Sequence, residues 1–171
     1  MGDNFVINIG RQLGSGGREI GEKLAAAMEI SFYDKELINL ASEESGLCRD
    51  FFEKADEKPS QPLMNGLFGM RFPFPNDSIM ACNSCLSNDA LFKVQSDVIR
   101  KLAAEKSCLF VGRCADYILR DHPRHVNVFV SASLDDRIER LCQTMHVGKA
   151  EAEELIERTD KKRSEYYNYY S

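Results

Sequence analysis

The segment FVINIGRQLGSGGREIGEKLAAAM, residues 5–28, constrains the fold of this chain more than any other. It starts with an apolar run at 5–9 that suits a buried strand, continues with a glycine-rich turn and ends in a helical pattern. The apolar residues of that pattern form one stripe, which we expect to face the core: Ile20, Leu24, Ala27 and Met28. Consecutive glycines let backbone N–H groups converge on an anion, and the helix that follows adds its positive end. The segment therefore predicts a phosphate-binding loop.

This loop differs from the standard fingerprint G-x-x-x-x-G-K-[ST] at its lysine. When Gly16 is aligned with the closing glycine, Gly17 takes the position of the lysine and Arg18 that of the Ser or Thr. Arg11 and Arg18 flank the glycines, and guanidinium groups bind phosphate oxygens at two points. The predicted loop consists of Arg11, Gly14, Ser15, Gly16, Gly17 and Arg18. The alternative is a tight turn that packing alone requires.

Short apolar runs alternate with helical patterns along the chain. The runs that predict strands are at 5–9, 30–34, 107–112 and 126–132. After the first helix, helical patterns follow at 35–45, 48–57, 88–105, 134–145 and from about 148 onwards. This alternation predicts an α/β fold with a mostly parallel sheet covered on both faces. Ligands of such sheets bind at the carboxyl ends of the strands, near a change in strand order.

Residues 58–87 break the alternation, because four of the five prolines lie there and no period is visible. Loops of this length are uncommon in compact domains and are usually mobile or functional. Two interpretations stay open, a mobile loop that folds over a substrate or a neighbouring subunit, and a poorly ordered insertion. The sequence does not determine the oligomeric state, but the apolar stretch 63–80 is where we would expect a homodimer contact.

Composition and charge exclude several classes of protein. A chain of 171 residues is long enough for one domain with its own core. The net charge of −5 argues against nucleic acid or an anionic membrane as a partner. No apolar run approaches the roughly 20 residues that span a bilayer, and the first residues do not resemble a secretory signal. We therefore expect a cytoplasmic protein.

The six cysteines are expected to be reduced thiols, because disulfides are rare in the cytoplasm. Cys108 and Cys114 flank an apolar run and are predicted to be buried. Cys82 and Cys85 form a C-x-x-C pair, but no second Cys or His pair stands at the spacing of a zinc site. This pair is left without a role.

Five segments resemble, in order, the cytidylate-kinase-like family of bacterial proteins, a branch of the nucleoside monophosphate kinases. They are GRQLGSGGREIGEKLA, ISFYDKELI, LFVGRCADYIL, VNVFVSASLDDRIERL and RTDKKRSEYYNYY. The resemblance implies a three-layer α/β/α P-loop kinase-like fold with a central five-stranded parallel sheet. A loop without lysine is usual in this branch. Family members usually continue beyond the tyrosine-rich block with a fifth strand and a final helix. Either the sequence is shortened after Ser171 or the protein lacks this strand, so no adenine-binding residue is assigned.

The same resemblance implies a division of the chain and roles for single residues. Residues 1–171 would form one kinase-like domain, with a helical acceptor-binding region at 35–105 that includes the mobile loop 58–87, and a lid with its following helix at 146–171. The residues predicted to bind the acceptor are Asp34, Arg113 and Asp160. The predicted catalytic residues are Arg18, in the loop that would hold the donor phosphates, and Arg158 and Arg163, which would contact the transferring group.

Each of these residues has a structural alternative. Asp34 precedes a helix and can cap it. Arg113 can cap a helix or bind a carboxylate, and residues 158–163 can form a solvated helix face with ordinary ion pairs. Asp160 can either bind sugar hydroxyls or orient Arg163.

The predicted function is ATP-dependent phosphoryl transfer to a nucleoside monophosphate, CMP or dCMP, with ATP and Mg2+ as cofactors and no nucleic-acid or membrane partner. Phosphoryl transfer needs positioning and positive charge more than covalent chemistry, which suits an arginine-rich site. No acidic residue is assigned as a metal ligand. One alternative is a kinase-like fold that binds nucleotide without turnover, which the missing lysine and hydroxyl favour. Another is a kinase with a non-nucleotide acceptor, because fold does not determine substrate.

Overall fold

The computed structural model of the chain describes residues 4–35 and 88–171. Its elements in these two ranges are β1 (Val6–Arg11), α1 (Gly17–Ala27), β2 (Ser31–Tyr33), α2 (Asn88–Glu105), β3 (Cys108–Val111), α3 (Ala115–Ile118), β4 (His125–Val130), α4 (Leu134–Met145) and α5 (Lys149–Tyr170). The strands and the longer helices predicted there are confirmed. None of the helices within these ranges is long and apolar enough to cross a membrane.

Several predictions lie outside the described residues. They concern the helices at 35–45 and 48–57, the loop 58–87 with its stretch 63–80, and the pair Cys82 and Cys85. They stay predictions.

The four strands form one parallel sheet in the order β2-β3-β1-β4. Val6 at the start of β1 pairs with Cys108 of β3 on one side and with His125 of β4 on the other. Ser31 of β2 is opposite Cys108. This arrangement confirms the predicted α/β fold with a parallel sheet. The fifth strand that the family resemblance implies is not among the residues that the structure describes.

Successive residues of β1 and β3 face two separate cores. Phe110 lies on one face of the sheet, in a cluster with Ile99 of α2 and Ile118 of α3. Leu109 lies on the opposite face, in a cluster with Ala25 of α1. Helices thus cover both faces of the sheet, which makes the fold a three-layer α/β/α sandwich.

Cys108 and Cys114 are buried free thiols, as predicted. Burial raises the pKa of each thiol to about 11. Both therefore stay protonated near neutral pH, and protonated thiols are poor nucleophiles.

Helix α1 packs on the sheet through small residues and not through the predicted apolar stripe. Its buried residues are Gly17, Gly21 and Ala25. Ile20 and Met28 of the predicted stripe are 49% and 43% exposed, so this prediction was wrong. The physical reason is the close approach of the helix, because a Cβ atom on Gly21 would lie 3.1–3.3 Å from side-chain atoms of Ile9, Leu109 and Val111.

The substitution Gly21→Leu tests this assignment of the buried face. We expect it to lower the free energy of unfolding by about 1–3 kcal/mol, because additional methylene groups must fit between helix and sheet. The matched control Ile20→Leu is at the exposed neighbouring position and should change that free energy by less than about 0.5 kcal/mol. Urea unfolding followed by circular dichroism measures both. Equal stability of the two variants would show that Gly21 does not lie on the buried face of α1.

Candidate functional site

The chain leaves β1 and β3 in opposite directions at the same edge of the sheet. After β1 it enters α1, which covers one face, and after β3 it enters α3, which packs with α2 on the other. β1 and β3 are neighbours, so their diverging connections leave a crevice between them. Ligands of open α/β sheets bind at this kind of position. We call it the β1–β3 crevice, and the loops after Arg11 and Val111 border it.

The loop between β1 and α1 contains two glycines in the left-handed backbone region. Gly14 and Gly16 have φ angles of 80° and 79°, and Gly16 is the N-cap of α1. A Cβ atom on Gly14 would lie only 2.8 Å from the carbonyl oxygen of Arg137. The first N–H groups of a helix have no acceptor within the helix, and together with the helix dipole they favour an anion. The backbone therefore has the features of the predicted phosphate loop.

Arg11 lies across two of the glycines that border the crevice. A Cβ atom on Gly17 would be 2.6 Å from the Cβ of Arg11, and a Cβ atom on Gly112 would be 2.1 Å from Nη1 of Arg11. The stem of Arg11 thus fills the space that a side chain at position 17 would enter first. Position 17 is where the standard loop has its lysine, so the absence of that lysine has a structural cause. The guanidinium group of Arg11 reaches the end of β3.

Arg18 is paired with Asp34, directly after β2. Its Nε and Nη2 both donate to Oδ2 of Asp34, at 2.9 and 2.8 Å. Only 3% of the Asp34 side chain is exposed, whereas 63% of the Arg18 side chain is exposed. A buried carboxylate is costly without a cationic or hydrogen-bonding partner, so this pair stabilises Asp34 in its place. Two residues predicted for different roles are therefore partners of one another.

Asp160 joins α5 to the loop after β1. Its Oδ1 accepts a hydrogen bond from the N–H of Leu13 at 2.8 Å and lies 3.7 Å from Nη1 of Arg163. Its Oδ2 forms an ion pair with Nη2 of Arg137, whose Nε donates to the carbonyl oxygen of Leu13 at 2.7 Å. Only 7% of the Arg137 side chain is exposed. Asp160 and Arg137 therefore hold both backbone polar groups of Leu13.

Arg163 and Tyr166 extend the contact of α5 along the crevice. Nη1 of Arg163 donates to the carbonyl oxygen of Arg11 at 3.4 Å. Burial lowers the pKa of Arg163, and the nearby Asp160 carboxylate opposes this effect. One turn later, the ring of Tyr166 lies 5.4 Å from the guanidinium carbon of Arg113. This side of α5 thus contacts the ends of both β1 and β3.

Arg113 is held in an unusual turn after β3. Gly112, Arg113 and Cys114 have φ angles of 78°, 60° and 54°, and the N–H of Ala115 closes the turn on the carbonyl oxygen of Gly112 at 3.2 Å. Left-handed conformations are unfavourable for residues with a Cβ atom and cluster at functional sites. Nε of Arg113 is buried and has no hydrogen-bond partner among the described residues. A buried donor without an acceptor is rare, so this side chain is suited to an anionic ligand.

The structure brings some of the predicted site residues together and separates others. Four of them meet at the β1–β3 crevice: Arg11, Arg113, Asp160 and Arg163. Arg158 is exposed and follows the buried Ile156 by two residues, which puts it on the opposite side of α5. It does not join this group.

Two arginines of α4 at the loop were not predicted, namely Arg137 and Arg140. The guanidinium atoms of Arg140 lie 3.3–3.4 Å from the position of a Cβ atom on Gly16, and Arg140 is paired with Glu19. Both arginines belong to the segment SLDDRIERL and are one helical turn apart. The sequence did contain a signal for these two residues. They are arginines one helical turn apart, in a helix that directly follows a strand ending at the same edge of the sheet.

No group of three or more His, Cys, Asp or Glu side chains that would suit a metal ion occurs within residues 4–35 and 88–171. Mg2+ in phosphate-transfer enzymes is often bound through one or two carboxylates and the substrate phosphates, so such a group is not required. We assign no magnesium ligand.

A parallel sheet of order β2-β3-β1-β4, with a glycine-rich loop between its β1 strand and the first helix, has a P-loop kinase-like fold. The chain belongs to the cytidylate kinase-like family, whose model matches residues 6–171. The resemblance found in the sequence is thereby confirmed, and family membership supports a kinase-like, nucleotide-binding function.

Several solved structures are similar to this chain. An uncharacterized protein from Eubacterium ventriosum matches with a TM-score of 0.69 and 25% identity, over 98% of this chain and 78% of that one. A gluconokinase from Sinorhizobium meliloti matches with a TM-score of 0.45 and 15% identity, over 91% and 74% of the two chains. The protein TT1252 from Thermus thermophilus matches with a TM-score of 0.46 and 17% identity, over 94% and 84%. No curated protein matches the sequence significantly.

Proposed function

We propose that this protein is an ATP-dependent nucleoside monophosphate kinase that transfers a phosphoryl group to CMP or dCMP. The observation that carries the proposal is the cluster of guanidinium groups at the β1–β3 crevice, formed by Arg11, Arg113 and Arg163. Charge stabilisation and positioning account for most of the catalysis of phosphoryl transfer. Membership of the cytidylate kinase-like family supports the kinase-like part of the proposal.

The loop at residues 11–18 would hold the phosphates of ATP. Its backbone supplies N–H groups at the N-terminus of α1, and Arg11 supplies positive charge from the place of the missing lysine. This assigns to Arg11 the role that the sequence suggested for Arg18, because Arg18 is engaged by Asp34. Mg2+, when bound, would neutralise charge on the phosphates.

Arg113 would hold the phosphate of the acceptor, because its Nε is a buried donor at the end of a central strand. Arg163, one helical turn before the tyrosine that contacts Arg113, would neutralise charge on the group in transfer. Asp160 would keep Arg163 in place, at 3.7 Å, which favours orienting Arg163 over binding sugar hydroxyls as its role. Arg158 has no part in this arrangement.

The test is release of ADP by the full chain with ATP and Mg2+ against a panel of nucleoside monophosphates and gluconate. We expect CMP or dCMP to support turnover above every other acceptor, and Arg113→Met to abolish it. The matched control is Arg100→Met, because Arg100 is an exposed residue of α2 that pairs with Asp97.

Three results would replace the proposal. If no acceptor supports turnover while calorimetry detects ATP binding, the protein is a nucleotide-binding module. Turnover with gluconate alone would identify a kinase with a non-nucleotide acceptor. If neither turnover nor ATP binding is found, the glycine loop is only a turn.

A further inference from the structure

A cavity of about 690 Å3 lies beside Arg113. Its other walls are formed by α2 and α5, with Asp89 and Leu91 on α2 and Lys162, Glu165, Tyr166, Tyr169 and Tyr170 on α5. We call it the tyrosine cavity. Its volume lies within the range of pockets that bind small molecules, which is roughly 300–1,000 Å3. Its walls combine aromatic rings with two cationic and two acidic side chains, and one of the acidic groups, Asp89, accepts a hydrogen bond from Tyr170.

Protein contacts fix two of the tyrosines. The ring of Tyr170 is stacked on Phe92 with the ring centres 4.1 Å apart, and its hydroxyl donates to Oδ1 of Asp89 at 3.1 Å. Tyr166 is tilted against Tyr170 with a centre-to-centre distance of 4.8 Å. Burial raises the pKa of Tyr170 to about 12, so its hydroxyl stays neutral and does not repel an anion.

Tyr169 is different, because most of its ring is open. It meets Tyr170 edge-on, with a centre-to-centre distance of 4.7 Å and an interplanar angle of 84°. Its exposed fraction is 71%. A large aromatic ring that is held at one side and exposed on the rest of its surface can stack on a flat ligand at little cost in side-chain entropy.

The cavity also has a cationic part, formed by Arg113 and Lys162. Nε of Arg113 is buried without an acceptor among the described residues, and the guanidinium group lies over the ring of Tyr166. Lys162 lines the same cavity and is exposed. Arginine binds phosphate groups at two points, and lysine adds a mobile charge. The buried Nε of Arg113 and the exposed ring of Tyr169 line the same cavity, which suits a ligand with both a phosphate and a flat ring.

We infer that the tyrosine cavity binds a nucleoside monophosphate, with its base stacked on Tyr169 and its phosphate held by Arg113 and Lys162. The inference rests on the proposed function for the reaction that the acceptor undergoes. It goes further because it makes an aromatic ring a requirement for binding. A sugar phosphate without a base has no group to occupy the Tyr169 side of the cavity.

The experiment compares the binding of CMP, ribose 5-phosphate and inorganic phosphate to the full chain by calorimetry at one salt concentration, without ATP. We expect CMP to bind at least about tenfold more tightly than ribose 5-phosphate, because stacking of a base on an aromatic side chain contributes that much. Tyr169→Ala should weaken CMP binding about tenfold and leave ribose 5-phosphate binding within about twofold. Tyr169→Phe keeps the ring and should bind CMP like the parent chain.

Three results would overturn the inference. The first is equal affinity of the parent chain for CMP and ribose 5-phosphate. The second is an equal loss of affinity for both ligands in Tyr169→Ala, and the third is no binding of CMP at all. Because Tyr169 is largely exposed, both variants should fold, and thermal unfolding checks this.

The result is separable from the test of the kinase reaction. Binding of CMP that depends on Tyr169, without release of ADP from ATP, would contradict the proposed kinase activity but support the tyrosine cavity as the binding site. Turnover of CMP with an unchanged KM in Tyr169→Ala would contradict stacking of the base on Tyr169 but support the proposed kinase activity.

Discussion

Arg11→Met is expected to lower the turnover of the proposed kinase about a thousandfold, the effect typical of losing a transition-state arginine in phosphoryl transfer. Arg11 is expected to matter this much because its stem fills the place of the P-loop lysine and its guanidinium reaches Gly112 at the end of β3. Arg18→Met should instead lower turnover less than about tenfold, because Arg18 is engaged by Asp34. The measurement is kcat with ATP, Mg2+ and CMP.

Stability gives a second readout that separates these two arginines. Arg18→Met removes a close cationic partner of a buried carboxylate, so it should lower the free energy of unfolding, although turnover per folded molecule falls by less than about tenfold. If Arg18→Met abolishes the turnover of folded protein while Arg11→Met does not, Arg18 is the catalytic residue, as the sequence suggested.

A pair of glycine substitutions checks the position of Arg11 without changing Arg11 itself. A Cβ atom on Gly112 would lie 2.1 Å from Nη1 of Arg11, at a φ angle of 78°, so Gly112→Ala should displace the guanidinium group and lower turnover in the same direction as Arg11→Met. Gly148→Ala is the matched control, because nothing lies within 4 Å of its Cβ position. It should retain full turnover.

The sheet and its helices could be predicted because they depend on local patterns. Strands buried on both faces of a parallel sheet appear as continuous apolar runs, and β1 and β3 have this pattern. Long helices show a helical period, as α2 does. The buried face of α1 could not be read in the same way. Its large apolar residues mark the exposed side, because the close approach of the helix to the sheet requires Gly21 and Ala25 instead.

The candidate site could be predicted only in part, because a loop motif shows which residues are present but not which of them pair. The glycine turn and the arginines beside it were visible in the sequence. The pairing of Arg18 with Asp34 joins the ends of two different elements, and the hydrogen bond from Leu13 to Asp160 spans 147 positions. Contacts of this range depend on how α1, α4 and α5 pack, which no local pattern records.

The ion pair of Asp160 with Arg137 accounts for the largest expected loss of stability. Asp160→Ala should lower the free energy of unfolding by about 3–5 kcal/mol, because it leaves the buried Arg137 guanidinium without this carboxylate. The matched control is Glu19→Gln, which removes the carboxylate that pairs with Arg140 one turn further along α4. Glu19 is exposed, so the control should change stability too little to resolve. Urea unfolding measures both variants.

A double variant separates the stability that Asp160 provides from its effect on the loop. Replacing both charges, as in Arg137→Met with Asp160→Leu, should recover much of the lost stability, because apolar pairs often replace buried ion pairs without loss. Turnover should stay low, since neither backbone group of Leu13 would then have its side-chain partner. If the double variant regains turnover together with stability, Asp160 serves only as the partner of Arg137. The backbone bonds at Leu13 would then not be what shapes the phosphate loop for catalysis.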